Sequence, residues 1–163
     1  FRDLVGAAVT RHPVPRNFSD DPVSERPGVV DGGPRAKAPS DADRWSDELA
    51  VMSCQSAIVC VEDADCPAIG AIADGVAMVD EWYGFHENPR PHVNVVATVD
   101  ESTYEPHLGE MGDDHPIVWW REFGGGRSVY NSMGHSAAMW GDERFLSSVL
   151  GGIDLAAGVT SRV

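Results

Sequence analysis

The sequence predicts an α/β domain with a mostly parallel sheet and one antiparallel hairpin. Two runs set the sheet: Ala57 to Val61 is continuously apolar, and Val93 to Val99 is β-branched and largely apolar. Strands that are apolar on both faces need cover on both sides, which is the habit of parallel strands packed between helices. A third observation sets the hairpin. Gly124, Gly125 and Gly126 separate Pro116–Phe123 from Arg127–Met133, and glycine takes positive φ in such a turn without strain.

The elements follow in order. Phe1 to Ala7 reads as the end of a helix running into Gly6, with Phe1, Leu4 and Val5 on one face. Pro13, Pro15, Pro22, Pro27, Pro34 and Pro39 then fall among glycines, aspartates and serines, so residues 13–55 are read as an irregular, mobile insertion. The first strand ends at the acidic turn Glu62-Asp63 and the second at Asp100-Glu101. From Asp142 to Ala157, the residues Phe145, Leu146, Val149, Leu150, Ile153 and Ala157 recur at helical spacing, with Gly158 as a C-terminal cap. This helix is expected to lie flat on the sheet. Gly151 and Gly152 inside it each cost about 1 kcal/mol relative to alanine, which predicts a close backbone contact there.

The chain has 163 residues, read as one domain over 1–163. Its 12 Lys+Arg against 26 Asp+Glu give a net charge of -14, which repels polyphosphate and anionic lipid, so nucleic acid and membrane are set aside as partners. No stretch approaches the roughly 20 apolar residues of a membrane span. Cys54, Cys60 and Cys66 are read as reduced thiols, with only Cys60 and Cys66 close enough in sequence to pair. The cytoplasm is favoured, and the oligomeric state is not set.

His135 is the sharpest functional candidate, because Gly134-His135 follows the second hairpin strand and open α/β sheets bind ligands beyond strand ends. The alternative is a structural histidine that satisfies a backbone group. Asp80-Glu81-Trp82-Tyr83 joins two carboxylates to two aromatics, a combination that suits sugar hydroxyls and the apolar face of a pyranose. It equally suits a divalent metal held by Glu81 and His135, or a plain core with a solvated acid. Arg90, in a polar run from His86 to His92, and Arg121, in the hairpin, are weaker substrate-binding candidates. No serine or cysteine stands in a nucleophile-elbow pattern, and no G-x-G-x-x-G precedes a helix.

Several strings occur in order: Leu4-Val5-Gly6-Ala7, Asp80-Glu81-Trp82-Tyr83, Thr98-Val99-Asp100-Glu101-Ser102-Thr103-Tyr104, His115-Pro116-Ile117-Val118-Trp119, Gly124 to Tyr130, Gly134-His135 and Leu150-Gly151-Gly152-Ile153. Together they resemble the second half of ThuA-like (trehalose-utilisation) domains. The resemblance implies a flavodoxin-like, class I glutamine amidotransferase-like fold whose N-terminal half, with its glycine-rich turn, is missing before Phe1. It also implies a part in trehalose or related sugar catabolism, acting on or binding a disaccharide. Glu81 and His135 would then be the catalytic pair, with Asp80, Trp82 and Tyr83 against the sugar. The alternative is a non-catalytic carbohydrate-binding module attached to a sugar dehydrogenase. The sequence departs from the family pattern at Cys66-Pro67, where many members carry His-Pro, and in the long segment from Pro15 to Gln55.

Overall fold

Five strands form one sheet, and every neighbouring pair in it is antiparallel. The computed structural model describes residues 2–7, 9–11, 54–106 and 109–159; most of the predicted 13–55 insertion lies outside the described residues. In chain order the elements are α1 (Arg2–Val5), β1 (Val9–Arg11), β2 (Gln55–Val61), β3 (Val76–Asp80), β4 (Gly84–Phe85), β5 (Asn94–Asp100), β6 (Pro116–Phe123), β7 (Gly126–Asn131) and α2 (Glu143–Ala157). The large sheet runs β3-β2-β5-β6-β7, and β1 pairs with β4 in a separate two-stranded ribbon.

The expected mostly parallel, flavodoxin-like or class I glutamine amidotransferase-like sheet is therefore not what these residues build. The two predicted central strands are neighbours, but they run in opposite directions, with Val59 opposite Val99 and Cys60 opposite Thr98. Parallel pairing needs a long crossover connection, usually a helix. Between β2 and β3 and between β5 and β6, the described residues hold no α-helix, only short 3-10 turns such as Pro67–Ile69 and Glu101–Thr103. Apolar residues on both sides of a strand report cover on both faces and say nothing of direction. Val118 belongs to the main core with Val59, Val96, Phe145 and Leu155, whereas its neighbour Trp119 belongs to a second cluster with Ala7 and Phe85. Consecutive strand residues point to opposite faces, so the sheet is buried on both sides without helical crossovers.

The hairpin forms, with a two-residue turn and a second strand that begins at Gly126 and ends at Asn131 instead of running from Arg127 to Met133. Gly124 and Gly125, at φ 60 and 82, are its two central residues, and Phe123 pairs with Gly126. Positive φ at both positions fits the twist of the flanking strands.

The last helix also forms, and part of the predicted face packs as expected: Phe145 is buried and Leu146 and Val149 lie against the core, but the buried stripe is rotated away from Leu150 and Ile153. Its buried residues are Phe145, Ser148, Gly152 and Leu155, while Leu150 and Ile153 are exposed. Close approach explains the choice. A Cβ on Gly151 would fall 1.8 Å from the Pro67 carbonyl oxygen, and one on Gly70 would fall 2.3 Å from the Ser148 nitrogen. Ser148 Oγ donates to the Ala68 carbonyl at 2.5 Å and accepts from Asn131 Nδ2 at 3.0 Å. Backbone meets backbone here, so small residues line the contact, and Leu150 and Ile153 are turned outward. Asp142 caps the first turn by accepting from Arg144 N at 2.9 Å, and Gly158 closes the last at φ 72.

On the other side of the sheet, Trp119 Nε1 donates to the Val5 carbonyl at 2.7 Å, which ties α1 to β6. None of the three cysteines forms a disulfide, and Cys66 is buried in the main core.

Candidate functional site

Asp80 ends β3, and the chain turns after β7 through Ser132, Met133 and Gly134 to His135. The two segments meet. Asp80 is fully buried; one carboxylate oxygen accepts from Gly134 N at 2.6 Å and the other from His135 N at 3.2 Å. Gly134 stands at φ 106, a conformation that glycine adopts easily, and a Cβ there would fall 2.8 Å from the Phe145 ring. The tight turn and the buried carboxylate together aim the next side chain.

That side chain is the His135 imidazole. Its Nδ1 lies 2.7 Å from Glu81 Oε2 and 3.4 Å from Tyr83 Oη. Glu81 is almost fully buried, whereas about a quarter of the His135 side chain is exposed. Its Nε2 is shielded from solvent and has no partner among the described residues. Ser132 Oγ, three positions earlier, is in the same condition.

Burial sets the electrostatics. It raises the Asp80 carboxyl above its ordinary range, an effect opposed by the backbone N–H groups of Gly134, Glu81 and His135. Burial first, and the Glu81 carboxylate second, push the Tyr83 phenol well up. The Cys54 thiol is pushed up to about 11 by burial and then by Asp80 and Glu81, so it is a poor nucleophile near neutral pH.

The other predicted site residues lie elsewhere. Trp82 is core, 1% exposed, with its indole N–H donated to the Gln55 carbonyl at 3.0 Å, so no face of it is open to a sugar. Arg90 is clamped between Glu62, at 2.6 and 2.8 Å, and Asp114, at 2.6 and 2.7 Å. Arg121 pairs across the hairpin with Ser128, whereas Asn131, nearest to His135, pairs with Val118. Three residues of strand, roughly 10 Å, therefore separate Arg121 from that end. For a metal, Glu81 and His135 touch each other directly, and no group of three His, Cys, Asp or Glu residues suited to an ion occurs among the described residues.

Sequence reasoning missed a second layer behind the pair. His115, 1% exposed, places Nδ1 2.7 Å from Glu101 Oε1 and 3.0 Å from Tyr104 Oη, and its Nε2 lies 2.9 Å from the Tyr83 carbonyl oxygen. Glu101 also accepts from Met111 N at 2.7 Å and Gly112 N at 2.8 Å. This network fixes the backbone that presents Tyr83. Glu101 and His115 stand within the strings that carry the family resemblance, yet neither forms a chemical pattern along the chain.

An antiparallel sheet capped by one helix, with a carboxylate–imidazole pair at its β3 and β7 ends, defines the domain. The chain belongs to the ThuA family: the model described as "Trehalose utilisation" matches residues 1–156. This membership ties it to sugar utilisation in general. A crystal structure of a ThuA-like protein from Bacteroides uniformis ATCC 8492 is similar, at 22% identity and a TM-score of 0.50, over 63% of this chain and 43% of that one. At that identity the likeness concerns the fold alone, and this chain spans less than half the length of that relative. No curated protein matches the chain.

Proposed function

We propose that the chain acts on a hydroxyl group of a neutral sugar such as a disaccharide, with His135 as the proton-transfer group and Glu81 as its orienting partner. The observation that carries the reading is the 2.7 Å contact of Nδ1 with Glu81 combined with a shielded, unpartnered Nε2. The contact is an ion-pair approach and not an aligned hydrogen bond, and a carboxylate that close favours a proton on Nδ1, which leaves the Nε2 lone pair to accept. Nε2 is closed to solvent in this structure, so the loop that carries it must open before a sugar hydroxyl can reach it; the O–H bond then breaks, the N–H bond forms, and Glu81 stabilises the imidazolium. A buried polar nitrogen without a partner costs free energy in the empty site, and a ligand hydroxyl removes that cost. Two carboxylates beside one imidazole favour neutral hydroxyl donors over phosphorylated sugars.

Non-catalytic sugar binding is the second reading. It is favoured by the absence, among the described residues, of any acid paired with Nε2, since glycosidic cleavage calls for two placed carboxyl groups.

The test is to incubate the full chain with trehalose, maltose and glucose and follow the sugars by proton NMR, beside His135→Gln and Glu81→Gln. Conversion that both variants abolish without loss of folding supports proton transfer. Saturable binding with no conversion, surviving His135→Gln, supports the binding module and rejects His135 as the reacting group.

A further inference from the structure

Trp140 is a large aromatic side chain left open beside the loop that carries His135. It is 55% exposed, yet it is held at two points. Its indole N–H donates to the Gly134 carbonyl at 2.9 Å. Its ring meets Phe145 edge-on, with centroids 5.0 Å apart and planes at 90°. Phe145 is itself buried and packs against Gly134, so Trp140, Phe145 and Gly134 form one braced unit directly before His135.

An exposed tryptophan held in this way has little left to lose on binding. Its polar atom is already satisfied and its ring already positioned, which lowers the entropy cost of capturing a ligand on the open part of the ring. The chemistry that suits such a surface beside a carboxylate–imidazole pair is a ring with an apolar C–H face and hydroxyls at its edge. We infer that Trp140 is a stacking platform for a pyranose ring, and that it seats an uncharged sugar next to His135. The role assigned from sequence to Trp82 falls instead to this residue, which no sequence motif marks. The inference rests on the sugar reading of the His135 site, but it concerns affinity, whereas that reading concerns proton transfer.

The experiment titrates trehalose and methyl α-glucopyranoside into the full chain and into Trp140→Phe, Trp140→Leu and Trp140→Ala by calorimetry, with His135→Gln run alongside. Trp140→Leu keeps apolar cover over Phe145 while removing the ring, which guards against a fold defect in the alanine variant. The expected result is a loss of affinity of about tenfold in the leucine and alanine variants and less than about threefold in the phenylalanine variant, with melting temperatures of the phenylalanine and leucine variants near that of the parent. Equal affinity in parent and leucine variant overturns the platform, as does a parent chain that binds neither sugar. If His135→Gln abolishes conversion while Trp140→Leu binds normally, the platform fails and proton transfer stands. If Trp140→Leu loses binding while His135→Gln and Glu81→Gln change nothing, the platform stands and proton transfer fails.

Discussion

The buried carboxylate of Asp80 accepts the backbone N–H of His135 at 3.2 Å, across 55 positions of sequence. With the 2.6 Å bond from Gly134 N, this makes Asp80 the anchor of the loop, and its full burial keeps its oxygens from a ligand. Asp80 therefore acts on the site through the backbone, while the neighbouring Glu81 touches the imidazole itself.

Replacing Asp80 by alanine strands two inward-facing N–H groups and should lower stability by roughly 2–4 kcal/mol. Chemical denaturation of both proteins measures this. Burial raises the carboxyl in the folded state, so there it holds its proton more tightly than in the unfolded chain. The stability of the parent relative to Asp80→Asn should then fall as pH rises from the ordinary carboxylate value through the raised folded one, and level off above it. A difference that grows with pH across that window would contradict the assignment.

Arg90 is a structural clamp. Its guanidinium, 40% exposed, is shared between Glu62 and Asp114, so Arg90→Ala should cost under about 1 kcal/mol and less still in high salt. Sugar binding by this variant should match the parent. A selective loss of binding with stability intact would return Arg90 to the site.

Gly151→Ala places a methyl group against the Pro67 carbonyl, with the helix backbone on one side and a 3-10 turn on the other. Neither can move without breaking the Ser148 bonds, so we expect a loss of about 3 kcal/mol or more. Gly75, at φ 73 with nothing within 4 Å of an added Cβ, should cost only about 1 kcal/mol when changed to alanine. Thermal melts of the two variants compare crowding with backbone conformation directly.

Asp142 caps the last helix, and its carboxyl is drawn down to about 2, first by the Arg144 side chain. Asp142→Ala should cost about 1 kcal/mol at neutral pH. A depressed folded value means that the charge-dependent part of this contribution is present above the ordinary aspartate value, roughly 4, and is lost as pH falls through about 2. The gap between parent and Asp142→Asn, followed by acid titration of stability, should close over that interval.

Local chemistry was legible in the sequence because it is local. The hairpin follows from glycines that alone adopt positive φ freely, the ends of the last helix from Asp142 and Gly158, and the two central strands from their apolar, β-branched runs. The same chain shows why strand direction was not legible. A run such as Ala57 to Val61 records that both faces are covered, and α2 with the 67–69 turn on one side and the Phe85–Trp119 cluster on the other supply that cover as well as parallel crossovers would. Hydrophobicity placed Phe145, Leu146 and Val149 of α2 correctly but misplaced Leu150 and Ile153, because the backbone contact at Gly151 and the Val129 side chain against Gly152 select small residues there. At the site, the sequence named Glu81, Tyr83 and His135 as residue types fit for chemistry. Only the antiparallel pairing of β3, β2, β5, β6 and β7 brings Asp80 under the loop at Gly134, withdraws Trp82 into the core and leaves Trp140 outside. Those outcomes depend on contacts between segments some 50 residues apart, and residue type and spacing along a chain do not encode which distant backbone N–H a buried carboxylate will meet.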